Sequence, residues 1–124
     1  MNPSVPGLAS TTSLTYFMLI IESDLFVRQS EALLTVDESR ILQSVLFENP
    51  HLGTLIPGTQ GLRKLRYRSP QGNRGKRSGL RVIYYYIDHR DILYLLTVYS
   101  KSQTTNFSNR ALMLLARTFK KELS

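Results

Sequence analysis

The sequence predicts an α+β domain: an antiparallel sheet with two N-terminal helices packed on one face and a C-terminal helix, in the order β-α-α-β-β-β-α. Three observations predict it. Apolar residues recur with helical spacing at Ile41, Leu42, Val45 and Leu46, and again at Leu112, Leu115, Ala116 and Phe119. Between these stretches lie three consecutive strand-like runs, the first interleaving Leu62, Leu65 and Tyr67 with cations and the other two rich in β-branched and aromatic residues, with turn formers at their joints. The 124 residues show no internal repeat and suit one domain with a single core.

Each element has its own signal. Residues 1–14, MNPSVPGLASTTSL, are expected to be a disordered leader, and the domain to occupy 15–124. A strand is expected over 16–22. Ser23 or Asp24 can cap the helix that follows, whose apolar residues include Leu25, Phe26, Ala32 and Leu33. Asp37 is the expected N-cap of a second helix over 38–48, and Asn49-Pro50 stops it. Residues 50–61, PHLGTLIPGTQG, are punctuated by Gly and Pro and are expected to hold little regular structure. Strands follow over 62–68, 80–87 and 92–99. The first two are joined by SPQGNRGKRS, a loop of turn formers and cations. The second two are joined tightly through Asp88, His89, Arg90 and Asp91, which suits a hairpin. The last helix, over 107–123, is expected at an edge or end of the sheet.

Composition narrows the chemistry. There is no cysteine, which excludes disulfides, thiolate metal sites and a Cys nucleophile. The longest apolar runs, 16–21 among them, are far shorter than the roughly 20 residues a membrane span needs. A reducing cytoplasm is the expected location, and no membrane partner is expected. The net charge is +7, and it is segregated. Residues 1–60 hold two basic and six acidic side chains, whereas residues 61–124 hold fourteen basic and three acidic. Such asymmetry points to a partner-facing side.

The densest charge lies in residues 61–81, GLRKLRYRSPQGNRGKRSGLR, which carry Arg63, Lys64, Arg66, Arg68, Arg74, Lys76, Arg77 and Arg81 and no acid. Leu62, Leu65 and Tyr67 interleave with the first half, so the charge is built on strands, where a polyanion such as a phosphate backbone can neutralise it. Strand alternation puts Lys64, Arg66 and Arg68 on one face, and Arg81, Ile83 and Tyr85 on one face of the next strand. In the third, Leu95, Thr97 and Tyr99 align, and Lys101 continues that side. An in-register antiparallel pairing gathers Lys64, Arg66, Arg81, Tyr99 and Lys101, and a slip of one residue inverts the set.

That constellation suits RNA. Guanidinium groups take phosphate bidentately, and Tyr85 or Tyr99 can stack on splayed bases. Cleavage by the RNA's own 2′-hydroxyl needs a proton acceptor, stabilisation of a pentacoordinate phosphate and a proton for the leaving oxygen. From charge alone, a solvated basic face that holds a backbone without cleaving it is the favoured reading. His51 and His89 are expected as surface residues, with no metal and no cofactor. Ser100 and Ser102 lack an evident His partner, and the G-x-G-x-x-G spacing is absent around Gly72, Gly75 and Gly79.

In this order GLRKLR, the basic Gly-rich loop, GLRVIYYYID and YLLTVYSKS resemble the RelE/HigB superfamily of bacterial toxins, and most closely the HigB type. The segment IIESDLF, the helix pair, ENPHLGTLIPGTQGLRKLR and the basic C-terminal helix fit the same pattern, which spans residues 16–122. The resemblance implies a microbial RNase-like fold and ribosome-dependent cleavage of mRNA in the A site. It also implies a cognate antitoxin, typically a helix-turn-helix protein that represses its own operon, so operator DNA would be met only through it. Carried over by motif, the paired basic positions fall on Lys64 and Arg66, the Arg after Gly-x on Arg81, and the basic residue past the last strand on Lys101. An aromatic six residues on, Tyr in some relatives, falls on Phe107, which can stack but cannot exchange a proton. Arg66 falls where some relatives have Lys, and a guanidinium is a poor base. Lys64 is then the first choice for proton transfer, with Arg66 and Arg81 on the phosphorane, Lys101 on the leaving group and Tyr99 on a base. Arg63, Arg68, Arg74, Lys76 and Arg77 would anchor ribosomal RNA. Two other readings stay open: a toxin of the same fold that inhibits a protein target such as DNA gyrase, as ParE relatives do, and a non-catalytic nucleic-acid-binding regulator.

Overall fold

A computed structural model describes residues 17–68, 79–101 and 107–122. The expected leader, the first residues of the strand expected over 16–22, and the loop with Arg74, Lys76 and Arg77 lie wholly or partly outside the described residues. The described elements are β1 (Leu19–Glu22), α1 (Asp24–Leu33), α2 (Val36–Glu48), β2 (Thr54–Leu55), β3 (Leu62–Tyr67), β4 (Leu80–Ile87), β5 (Ile92–Ser100) and α3 (Asn109–Glu122). A single 3-10 turn, Asp88–Arg90, joins β4 to β5, and Asp91 closes it in the left-handed region at φ 55°.

Local chemistry sets the helix starts. Ser23 caps α1, its hydroxyl accepting from the Phe26 N–H at 2.9 Å and donating to the Leu96 carbonyl at 2.7 Å. The cap therefore also ties α1 to β5. For α2 the N-cap is Thr35, not Asp37. Thr35 accepts from the Glu38 N–H at 3.0 Å, and the Glu38 carboxylate accepts from the Thr35 N–H at 2.9 Å. This reciprocal pair satisfies two helix-end donors, which Asp37 inside the first turn cannot do.

The sheet order is β1-β5-β4-β3-β2. β1 pairs parallel with β5, and the other neighbours are antiparallel. β2 arises inside the stretch expected to be irregular. Its two residues pair as Thr54 with Lys64 and Leu55 with Arg63. A turn with Gly58 at φ 78° and Gly61 at φ 111° returns the chain to β3. A Cβ at Gly61 would stand 2.9 Å from the Tyr85 ring, so the close approach as well as the dihedral calls for glycine.

Both sheet faces are covered. α1 and α2 bury Phe26, Leu42 and Leu46 against Leu65, Val82, Tyr84 and Leu95. Each fully buried Leu or Phe contributes about 1.5–3 kcal/mol relative to exposure. α3 does not lie at an edge or end. Its Leu112, Ala116 and Phe119 pack on the opposite face against Leu62, Ile83, Leu96 and Tyr99, because the apolar stripe of α3 needs a sheet surface and the other face is taken. Ser108 caps it through the Ala111 N–H at 3.0 Å.

β5 carries a bulge. Tyr84 pairs with Leu95 and Ile83 with Thr97, so Leu96 is an extra residue. It restarts the alternation: Leu95 joins the α1/α2 core while Leu96 and Tyr99 join the α3 core. The expected alignment of Leu95 with Thr97 and Tyr99 is therefore broken at one residue.

Candidate functional site

The register decides which cations meet. Arg66 of β3 pairs with Arg81 of β4, and Arg81 pairs with Tyr99 of β5. The next row is Lys64, Ile83 and Thr97. Directly opposed residues on antiparallel strands sit about 4.5–5.5 Å apart at Cα, and alternate residues on one strand about 6.5 Å. Lys64, Arg66, Arg81 and Tyr99 thus share one patch on the α3 side of the sheet. Lys101 follows at the same end, two residues past Tyr99.

Within the patch, exposure differs. Lys64, Arg66 and Lys101 are exposed, whereas Arg81 is 6% and Tyr99 8% exposed. A recessed guanidinium is thereby flanked by solvent-facing cations. Two arginines directly opposite one another repel, and a buried charge is poorly screened. No Asp or Glu occurs in residues 61–87 or 92–121, so β3, β4, β5 and α3 up to Lys121 carry no carboxylate.

Tyr99 has two neighbours that define its use. Burial pushes its phenol above the ordinary value, and the Arg81 charge pulls the other way. It stays protonated at neutral pH and can donate a hydrogen bond. Its ring meets Phe107 edge-on at 5.3 Å between centroids. The structure therefore gives both aromatic side chains an intramolecular partner, and stacking on a base would compete with it. Thr97, 1% exposed in the adjacent row, has a hydroxyl with no hydrogen-bond partner among the described residues.

The remaining candidates scatter. Arg68 is exposed just past β3, continuing the side of Lys64 and Arg66. Arg63 points to the other face. Its guanidinium donates to the carbonyls of His51 at 3.1 Å and Gly53 at 2.7 Å, holding the entry to β2. That job was invisible in the sequence, because the acceptors are ten and twelve residues away. Gly53 is itself fixed by Tyr84, whose hydroxyl accepts from the Gly53 N–H at 2.8 Å and donates to the Pro50 carbonyl at 2.7 Å. His51 pairs with Asp88 at 2.7 Å and meets the Tyr86 ring edge-on, away from the cationic patch. Among the described residues no three His, Asp or Glu side chains group as metal ligands. No helix there is long and apolar enough to cross a membrane.

No protein-family model matches the chain. Solved structures do. A double arginine-to-alanine mutant of the Escherichia coli toxin RelE in the free state superposes with a TM-score of 0.50 at 15% identity, over 86% of this chain and 98% of that one. The isolated E. coli RelE toxin gives a TM-score of 0.50 at 13% identity, over 82% of this chain and 99% of that one. The fold is RelE-like. The match spans nearly all of each RelE chain and more than four fifths of this one, and identities this low speak for architecture alone.

Proposed function

We propose that the protein is the toxin of a type II toxin–antitoxin pair, of the HigB kind, and that it cleaves translated mRNA on the ribosome in the cytoplasm. The observation that carries this reading is the Arg66–Arg81 pairing, flanked by Lys64 and Lys101, on three neighbouring strands, β3 to β5, that hold no carboxylate. The reaction is transesterification. The RNA 2′-oxygen attacks the adjacent phosphorus, the 2′-O–P bond forms as the P–O5′ bond breaks, and a cyclic phosphate and a 5′-hydroxyl result. Lys64 handles the proton of the attacking hydroxyl. Arg66 from the rim and Arg81 from beneath take the charge that builds on the phosphorane oxygens, where preorganised donors act most strongly. Lys101 protonates the leaving oxygen, and the Tyr99 phenol donates to a phosphate oxygen. Arg68 extends the cationic track toward ribosomal RNA, and Arg74, Lys76 and Arg77 also anchor ribosomal RNA. An antitoxin restrains the protein until it is needed, and operator DNA is met only through that partner.

Mapping mRNA 5′ ends after brief induction, with translation running and with it blocked, tests the reading. New ends are expected only when ribosomes translate, and Lys64→Ala, Arg81→Ala and Lys101→Ala should each remove them. The assignment of chemistry fails if all three variants still arrest growth and cut mRNA as the parent does. Growth arrest with intact mRNA would instead point to inhibition of a protein target.

A further inference from the structure

The α3 side of the sheet carries a second recess, toward the other end of β4 from Arg81. It is lined by Leu62 and Tyr85 from the sheet, by Gln60 from the turn before β3, and by Met113, Arg117 and Lys120 from one side of α3. Four residues of β4 separate Tyr85 from Arg81, about 13 Å at ~3.3 Å per residue, so the recess is distinct from the Arg66–Arg81 patch. Its two sides are held in place. Thr59 donates to the Ile56 carbonyl at 2.6 Å within the turn, and Asn109 Nδ2 donates from the start of α3 to the Pro57 carbonyl at 2.6 Å. Gln60 stands at φ 62° and Gly61 at φ 111°. Successive left-handed residues favour Asn, Asp or Gly at the first position, and Gln stores strain there. Strain carried by an exposed polar side chain at the lip of a recess points to a use other than folding. Inside, the Tyr85 ring lies nearly parallel to Tyr94, at 18° and 6.4 Å between centroids, and the Lys120 ammonium stands 3.8 Å from the Tyr85 ring centre.

We propose that this recess binds one nucleotide, its base against the Tyr85 ring, the base edge on the Gln60 amide and its phosphate on Arg117 and Lys120. Size selects a single ring system. The recess holds about 170 Å³, below the roughly 300–1,000 Å³ of sites that enclose a drug-sized molecule, so sugar and phosphate stay at the mouth, where both cations are exposed. Chemistry selects a base. Every base has a π-face for the tyrosine and an edge of donors and acceptors, and the Gln60 amide offers both kinds of group. Among the described residues Arg117 has no ion-pair partner, and a phosphate supplies one. Lys120 covers the ring in the empty recess. On binding, its ammonium passes from the ring to the phosphate and the base takes its place; a charge-assisted phosphate contact and base stacking together outweigh one exposed cation–π contact. An aromatic carboxylate also suits the ring and the cations, but it leaves the Gln60 amide unused. A free nucleotide and a unit of an RNA chain present the same groups. The site does not rest on the RNA-cleaving reading.

The methionine methyl groups, labelled with carbon-13, test this by nuclear magnetic resonance of the full chain. Met113 lines the recess, and Met18 packs on the opposite sheet face as an internal control. Uridine and adenosine monophosphates are expected to shift the Met113 signal saturably and to leave Met18 in place. Inorganic phosphate, adenosine and N-acetylphenylalanine should each bind more weakly by about tenfold or more. Arg117→Gln and Gln60→Gly should each weaken nucleotide binding by about tenfold or more. Both alter exposed side chains, and glycine accepts the left-handed turn, so the fold is kept. The proposal is overturned if nucleotides leave Met113 unmoved, if phosphate or N-acetylphenylalanine binds as well as they do, or if either variant binds like the parent. An oligouridine separates the two sources. Tighter binding of the oligouridine than of the monophosphate, through the same Met113 shift, supports a unit of RNA as the ligand; tighter binding of the monophosphate supports a free nucleotide. The Met113 shift is read without any cleavage, so it stands or falls apart from the fate of translated mRNA.

Discussion

Arg81 is placed where a stable protein of no function would hardly put it: nearly buried, in the middle strand, opposite another arginine. Opposed like charges and a desolvated cation both weaken a fold, and such local violations gather at functional sites. Arg81→Met keeps the volume and removes the charge. It is expected to lower the cleavage rate by about 10²–10³, the loss typical of removing one charge-stabilising donor, while the folded fraction at the assay temperature is kept. A calorimetric scan beside a cleavage assay checks both halves, and a large fall in the midpoint would mark Arg81 as structural. Tyr84 is the converse case. Its hydroxyl serves the Gly53 N–H and the Pro50 carbonyl, and a Cβ at Gly53 would stand 2.8 Å from its ring. Tyr84→Phe leaves those groups wanting, so a loss of about 1–3 kcal/mol in urea unfolding is expected, without effect on chemistry in the folded fraction.

At the scale of elements, the capping box at Thr35 and Glu38 is the clearest local determinant. Thr35→Ala removes the acceptor for the Glu38 N–H and should lower stability by about 0.5–2 kcal/mol, with Thr35→Ser restoring most of it. Chemical denaturation of the three proteins measures this. The same element shows what a sequence can and cannot disclose. Thr35-x-x-Glu38 is legible as a pattern, yet Asp37 competes with it because any short polar residue before an apolar run looks like a cap. The faces of β3 and β4 are legible because neither strand gains a residue, so Lys64, Arg66 and Arg81 follow simple alternation. β5 is not, since nothing in LLTVY announces that Leu96 will be the extra residue. β2 is too short to carry a period. The place of α3 is a tertiary choice, made by which sheet face α1 and α2 leave free. The role of Arg63 depends on carbonyls brought near only by the folded chain.

At the scale of the molecule, buried phenols link stability to alkaline pH. Tyr67, Tyr84 and Tyr99 all have pKa values raised from 10.0, with burial the leading cause in each. Below that pH both folded and unfolded chains hold these protons, and stability from this source is fully present. Above it the unfolded chain releases them first, so stability falls as pH rises through the folded values. Unfolding midpoints on either side of pH 10.0 should show the fall, and Tyr84→Phe should make it shallower. The parallel pairing of β1 with β5 has a temporal consequence. The Ser23 hydroxyl meets the Leu96 carbonyl across 73 residues of chain, so the first strand cannot be seated until nearly the last element has been made. A nascent or prematurely released product is thus held open by its own topology. Chains truncated after Asp91 are expected to be digested rapidly by a nonspecific protease and to leave host growth untouched; a resistant truncation would show that the N-terminal strand finds a place without β5. Under the proposed function, lateness of folding would then act as a safeguard, since no active chain would exist before it has left the ribosome that makes it.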